Sequence, residues 1–578
     1  MFVRVKKIGG YEYLYLVENV REGGRHVQRV IKSLGRKDEV EESGMLDALI
    51  ASAARHSSRS IVLSRYYRGE LPELRRQSIG PDLAFGRLWE ETGCREVLTG
   101  LLAGRQFGFD LERAIYMTVL HRLLISGSDR HASEWKDKLR IPGAEQLTLD
   151  QAYKTMAWLG EEIPGSTGSL GPRTMTDAIE EALYRYREDL FGEVTVAFFD
   201  TTSLYFEGEG GESLGQRGHS KDYRPHLNQV VLGIVLDGHD RPIASFLLPG
   251  NTADVTTLVP VVQRLQDRFG IKRACVVADR GMISAKTMAT LEAAGVDYIL
   301  GARERSVREI YETVMTDDGV PVPLVIPRQK GETQLEIKEV KISGRRYVVC
   351  RNEEEAKKDA ETRAKILAGL ETALANGDMT LVANTGFRRY LKKQKGKTFA
   401  IDPAKVEADA RFDGLFILRI NTKLTGLQAV LRYRNLLAVE DTFKTGKALL
   451  TTRPIYHKTD RGIRGHVFCT FLALVLRHEL VSRLMSRHPS CSSMDDKPCV
   501  EPWRAIRPKA IEWRQIVDDL VDLSHVEVEQ DGKRARLRTA PGPTIDRVCR
   551  AVGITLPPVY EELPPIAGRS ISLQTCGA

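Results

Sequence analysis

No stretch of this 578-residue chain stays apolar over the roughly 20 residues that a membrane-spanning helix needs; the longest apolar run, Val467 to Leu476 in HVFCTFLALVLRHEL, reaches about half that length. No membrane span is expected. The opening residues, MFVRVKKIGGYEYLYLV, carry charge where a signal peptide would have its apolar core, which predicts a protein that is not exported and is cytoplasmic. Cysteine is scarce as well. Of eight cysteines only Cys491 and Cys499 lie close together, at a spacing that matches no common zinc site, so the thiols read as reduced and free. The chain has no internal repeat and no strong low-complexity tract. Neither sign of charge dominates: 85 Lys and Arg stand against 77 Asp and Glu, a formal charge of +8. That surplus favours polyanions without establishing that one is bound.

What the chain does have is length and a changing hydrophobic period. It is too long for one core, and roughly two to four domains are expected. In residues 1–75, YEYLYLVENV and RHVQRVIKSL flank a Gly-Gly turn, the pattern of a β-hairpin unit. Residues 80–190 read as a helical domain, from LERAIYMTVLHRLLIS, LDQAYKTMAWLGE and TMTDAIEEALYRYREDLF between Gly, Pro and Ser breaks. In residues 191–304, VTVAFF, NQVVLGIVLD and RPIASFLLPG predict three antiparallel strands. A helix follows with Asp254 as N-cap, then the strand RACVVAD, a helix ending at Gly295, and the strand VDYILGA. Three antiparallel strands followed by α-β-α-β is the order of a ribonuclease-H-like mixed sheet, which sets the class as α/β. Residues 305–412 read as a β-rich insertion subdomain. Residues 413–485 return to the sheet with GLFILRIN and continue in a long helical region from about Leu427. Residues 486–578 form a Pro- and Ser-rich C-terminal region with one strand-like pair, VEVEQDGKRARLRT.

The strand VTVAFF runs into Asp200, and the fourth strand runs into Asp279 in VVADRG. Either aspartate alone is an ordinary turn former. In the expected topology, however, the two strands are neighbours, and two close carboxylates repel unless a cation or proton lies between them. Hard oxygen ligands suit Mg²⁺ or Mn²⁺. A third acid is expected from a nearby helix, and Glu440 in YRNLLAVEDTFKTGK is the candidate. On one continuous helix, Tyr433, Glu440 and Lys447 lie along a single stripe, with Leu436 or Leu437 and Lys444 between them. On a plain surface helix such a stripe is a Glu–Lys pairing worth roughly a few tenths of a kcal/mol. It also suits phosphodiester chemistry, in which the acid completes a metal site, the lysines meet phosphate oxygens and the tyrosine stacks on or hydrogen-bonds a nucleotide. GHSKDYRPH places His219, Lys221 and Arg224 before the second strand, where they read as contacts to a phosphate backbone or as a solvated charge run, the histidines being loop residues rather than ligands. Arg453, His457, Lys458, Arg461, Arg464 and His466 extend the basic character, as phosphate contacts or as a charged helical connector.

Together these residues resemble the DDE transposases of bacterial insertion sequences, in the group whose third acid sits in a Y-x2-R-x3-E-x6-K signature after a β-rich insertion. Here the signature is Tyr433, Leu436, Glu440 and Lys447; Leu436 replaces the arginine, so that arginine's role on DNA phosphate does not carry over. FFDTTSLYFEG, GHSKDYRPHLNQVVLG, LPGNTADVTTL, VADRGMIS and RPIYHKTDRGIRGH agree with the family, and VRVKKIGGYEYLYLVENVREGGR resembles the start of one subgroup. The resemblance implies a ribonuclease-H-like core with two divalent ions, Mg²⁺ or Mn²⁺, on Asp200, Asp279 and Glu440. It also implies double-stranded DNA partners, namely terminal inverted repeats and target DNA, with cleavage and strand transfer by a homodimer on paired ends. Tyr433, Lys444, Lys447, Lys221, Arg224 and His219 are the expected DNA contacts. Two other readings are a transposase-derived DNA-binding protein, which would survive loss of any acid, and a stand-alone nuclease, which would cut without joining.

Overall fold

The computed structural model describes residues 1–22, 25–54, 74–168, 171–191, 196–271, 275–302, 320–327, 332–342, 344–375, 385–394, 399–449, 452, 455–486, 510–530 and 533–564. The Gly23-Gly24 turn, Arg453, Cys491 and Cys499 lie outside the described residues. At the N-terminus, Phe2–Ile8, Tyr11–Glu22 and Arg25–Arg36 form a three-stranded antiparallel sheet. Leu14 and Val17 are buried there with Val40 of the helix Lys37–Glu42.

The helical region is built around α1 (Leu111–Leu124), which is buried on nearly every side. Asp110 caps it by accepting from the Arg113 N–H at 3.0 Å. The short helix α2 (Asp129–Trp135) follows, and Leu149–Leu159 begins with a capping box at Thr148. Between Leu149–Leu159 and Met175–Phe191 lies a two-stranded hairpin, Glu162–Gly168 with Gly171–Thr174, that the helical period does not announce. The helices close on a distant segment, Asp460–Ser486, whose apolar residues share their core. Glycine permits the close crossing: a Cβ at Gly465 would lie 2.2 Å from the Met156 carbonyl oxygen, and one at Gly160 2.0 Å from that of Arg461. The strand-like pair expected near the C-terminus is Ser524–Gln530 with Lys533–Arg538. It joins Tyr560–Leu563 on one side and Leu74–Ser78 on the other in a four-stranded sheet.

A nine-stranded sheet carries the rest. Its strands in chain order are β1 (Val196–Tyr205), β2 (Gln229–Asp237), β3 (Pro242–Pro249), β4 (Cys275–Ala278), β5 (Tyr298–Gly301), β6 (Val322–Pro327), β7 (Glu332–Ile342), β8 (Arg345–Arg351) and β9 (Leu415–Ile420). In space the order is β6-β7-β8-β9-β5-β4-β1-β2-β3. The first three strands are antiparallel, β4 is parallel to β1 and β5, and β9 is antiparallel to β5 and β8. The insertion is therefore continuous with the sheet: β8 bonds along the full length of β9. Helices α3 (Leu258–Phe269) and α4 (Ala285–Ala293) contribute to one core with Phe199, Phe246 and Val276. Phe198, Leu204 and Ile234 belong to the other. Burial on both faces explains why β1 and β2 read as nearly unbroken apolar runs. Among the described residues no helix is long and apolar enough to cross a membrane, and the described cysteines are free thiols.

Candidate active site

The first strand does not finish on its aspartate. β1 runs through Asp200 to Tyr205, its later residues paired with β2, Thr201 opposite Gly233 and Ser203 opposite Val231. What ends at Asp200 is the parallel neighbour. β4 pairs Ala278 with Phe199 and then stops, so Asp279 follows beside Asp200 at the end of the shared ladder. Neighbouring strands lie roughly 5 Å apart, so this register brings both carboxylates to one edge.

A third carboxylate joins them. The Asp254 side chain does not cap α3; it accepts a 2.7 Å hydrogen bond from the Thr201 hydroxyl. A Cβ at Gly281 would lie 3.9 Å from Asp254 Oδ2 and 4.0 Å from Asp279 Oδ2, so the two acids flank one glycine. Lys221 enters the same ground: its ammonium donates to the Thr201 carbonyl at 2.7 Å and hydroxyl at 3.0 Å, and lies 3.2 Å from Asp254 and 3.9 Å from Asp200. Burial pushes the Asp200 carboxyl up to about 6. Lys221 and the Thr201 N–H oppose that rise, and Asp279 and Asp254 add to it. Beside them opens a cleft of about 280 Å³ lined by Lys221, Asp254, His219, Ser203 and Gly281.

The expected helix stripe is broken into three pieces. Tyr433 lies in α5 (Gly426–Arg434), Glu440 in α6 (Leu436–Lys444), and Lys447 in a π-helical turn, Thr445–Leu449. Asn435 separates the first two, and the wider π turn changes the period after the second. The three side chains consequently meet different partners. Tyr433 is not held out to a nucleotide: its hydroxyl donates to Asp279 Oδ1 at 3.1 Å and its ring stacks on Phe416. Gly301 makes room for it, since a Cβ there would lie 2.5 Å from the phenol oxygen. Burial, with Asp279 beside it, pushes this phenol well up. Lys447 is likewise turned inward, paired with Asp222 at 2.8 Å, both side chains largely buried. Leu436, in the arginine's place, is buried in the core.

Glu440 is half-exposed and lies 3.9 Å from Lys444, itself 73% exposed and turned to solvent. Its helix packs over β1, where Phe443 and Thr202 line one small cavity, and the carboxylate of Glu440 is not among the partners of Asp200 or Asp279 described above. Arg224 stacks its guanidinium on Tyr205, 4.7 Å from the ring centroid. The strand order brings Asp200 and Asp279 together, and Lys221 and His219 reach the same cleft. Sequence reasoning missed Asp254 as part of the site, although it stands in the LPGNTADVTTL segment that the family resemblance singles out.

A second cluster has the composition of a metal site. Asp129, His457 and His466 present ligand atoms within 4.8 Å of one another. Arg122 occupies it: the guanidinium donates to Asp129 at 2.9 Å and to His466 Nδ1 at 2.8 Å. His466 Nε2 meets the Thr452 carbonyl at 3.1 Å, and His457 Nε2 meets Asp129 at 2.8 Å. Burial keeps His466 well below its ordinary range, hence neutral. With both nitrogens of His466 engaged and a guanidinium in place, this cluster does not fit a divalent ion; the Asp200–Asp279 edge offers hard carboxylate oxygens close to the cleft lined by Asp254 and Lys221.

Comparison with known proteins adds family matches. Residues 3–65 match the model of the IS1634 family transposase N-terminal domain, and residues 193–476 match that of the transposase DDE domain. No curated protein matches the chain. Among solved structures it is similar to a Mos1 transposase paired-end complex with left transposon end, at 12% identity over 36% of this chain and 66% of that one. The TM-score is 0.14, too low for the folds to be compared.

Proposed function

Because the chain belongs to the DDE transposases of insertion sequences, we propose that it binds the terminal inverted repeats of its own element and cuts and rejoins DNA there. It does so on a ribonuclease-H-like core with Asp200, Asp279 and Glu440 as the ligands of two divalent ions, Mg²⁺ or Mn²⁺. The observation that carries this reading is the β1–β4 register, which ends the parallel ladder with Asp200 and Asp279 side by side. When bound, such ions supply a water-derived nucleophile at neutral pH and stabilise the leaving oxygen.

The chain's own residues set up the reaction. Burial raises the Asp200 carboxyl to about 6, so that it is mostly ionised at neutral pH. Tyr433 fixes one oxygen of Asp279, and the other lies close to Gly281, which lines the cleft. Lys221 contributes a fixed positive charge beside Asp200 for an approaching phosphate. In the first step a water oxygen bonds to phosphorus, the bond from phosphorus to the 3′ oxygen breaks, and that oxygen leaves as a 3′-OH. The same 3′-OH then attacks a target phosphodiester, making one bond for each broken, so joining needs no outside energy. Two ends must be processed together, and a homodimer on double-stranded DNA follows.

The test is cleavage and strand transfer on labelled DNA carrying the repeats, with Mg²⁺ or Mn²⁺, comparing wild type with Asp200→Ala, Asp279→Ala and Glu440→Ala. Wild type is expected to cut at the repeat boundary and join, each variant to bind and do neither. Cutting without joining makes the protein a nuclease, and binding without cutting makes it a DNA-binding protein. Cleavage that survives Glu440→Ala removes Glu440 from the ligand set.

A further inference from the structure

The expected role of Lys221 was a hook on DNA backbone, yet its surroundings are those of a part held in place. Thr201, Asp254 and Lys221 close a triangle: the Thr201 hydroxyl donates to Asp254 Oδ1 at 2.7 Å and accepts from the Lys221 ammonium at 3.0 Å, while Asp254 Oδ2 lies 3.2 Å from that ammonium. The Thr201 carbonyl takes another proton of the ammonium at 2.7 Å. The backbone is pinned too, since the Lys221 N–H donates to Ser203 Oγ at 2.8 Å. The next residue, Asp222, is locked to Lys447. A lysine side chain free in solution has many rotamers, and here that freedom is removed before any ligand arrives. The Lys221 side chain is 32% exposed and that of Asp254 27%, both on the wall of the cleft beside Asp200.

We propose that Asp254 is a positioning residue: with Thr201 it holds the Lys221 ammonium against Asp200, so that a fixed positive charge faces the cleft that receives a DNA phosphate. The proposal rests on the reading above that this cleft receives DNA. A preset charge needs no rearrangement when negative charge develops at the phosphate, and this is the condition under which a single electrostatic contact matters most. Asp254 touches neither DNA nor the reacting atoms in this scheme. Its whole effect passes through Lys221, and that distinguishes it from a further metal ligand.

Two measurements decide. The first needs no activity: amine-reactive labelling of the full-length protein, read by mass spectrometry, compares Lys221 with exposed Lys444 in wild type and in Asp254→Asn. Lys221 is expected to react more slowly than Lys444 in wild type and to approach it in the variant. Equal reactivity of Lys221 in both proteins overturns the proposal, whether or not the protein cleaves DNA. The second is a double-mutant cycle on single-turnover cleavage at saturating DNA and metal. Lys221→Met is expected to lose on the order of 100-fold in rate. Asp254→Asn should lose a similar or smaller factor, with DNA affinity nearly unchanged, and the double variant should be no slower than Lys221→Met alone. Losses that multiply, or a raised metal requirement in Asp254→Asn that persists in the Lys221→Met background, would make Asp254 an independent ligand and sink the positioning role. Melting curves of each variant separate these outcomes from misfolding. A wild type that binds and never cuts defeats the transposase reading instead, and the labelling result still decides the link between Asp254 and Lys221.

Discussion

Two clusters of acids and bases in this protein have similar ingredients and opposite character. At the sheet edge, Asp200 and Asp254 face the Lys221 ammonium and Asp279 lies beside them on the Tyr433 hydroxyl, next to an open cleft. Between the helices, Asp129 faces Arg122 with His457 and His466 around it, and the Arg122 and Asp129 side chains are fully enclosed. The first has charge left over and room beside it; the second has its carboxylate matched and its His466 nitrogens engaged. Residue type alone would rank the second as the metal site, since it has the tighter set of ligands. Free lone pairs and uncompensated charge, not composition, separate a site poised to take a ligand from one that staples two segments of chain together.

The comparison breaks most sharply by removing one member from each. Asp200→Ala or Asp279→Ala is expected to lower cleavage by on the order of 10³-fold or more while the fold persists; a variant that still cuts at near the wild-type rate would end the contrast. Arg122→Met is expected to do the reverse. It leaves Asp129 buried without its guanidinium and should cost about 3–5 kcal/mol in denaturant unfolding.

Acidity sharpens the comparison further. The folded-state value of Asp200 is raised above its unfolded value, so stability declines as pH rises from about 4 through about 6, and the penalty is constant above that. In metal-free buffer, Asp200→Asn should therefore be more stable than wild type at pH 7, by on the order of 2–3 kcal/mol, with the gain vanishing near pH 4. At Asp129 burial favours the neutral acid, but the His457 hydrogen bond and Arg122 outweigh it and hold the carboxyl well below its ordinary range. Its contribution is present above roughly pH 4 and is lost as pH falls, so Asp129→Asn should be most costly at neutral pH. Paired urea titrations at pH 4 and pH 7 would show the two variants moving in opposite directions. The smallest effect is expected from Tyr433→Phe, which removes one hydrogen bond to Asp279: about 1 kcal/mol or less of stability and a cleavage loss of roughly tenfold, read from single-turnover rates.

How much of this was legible beforehand depended on how far each feature reached along the chain. The sheet order was readable because β1 to β5 follow one another with clear turns and helices between them, and that order placed Asp200 next to Asp279. The continuation of β1 past Asp200 was not, since a strand's length is set by its partner: β2 supplies residues opposite Thr201 through Tyr205 while β4 stops. The stripe from Tyr433 to Lys447 assumed a single helical period, and Asn435 and the π turn broke it. Asp254 read as a helix cap because its real partner, Thr201, is remote in sequence. The Arg122 network was invisible for the same reason. His466 is 344 residues from Arg122, and no local pattern announces the pair.

The long helix Asp460–Ser486 has a bearing on how this protein comes into being. It fills the core that α1 and Leu149–Leu159 begin more than three hundred residues earlier, with Gly465 seated against Met156. During synthesis those early helices must wait, their apolar faces uncovered, until the ribosome has passed Ser486. By then Glu440 and Lys447 have also emerged. A gene copy truncated before Asp460 would thus yield a chain whose helical region lacks its central packing partner.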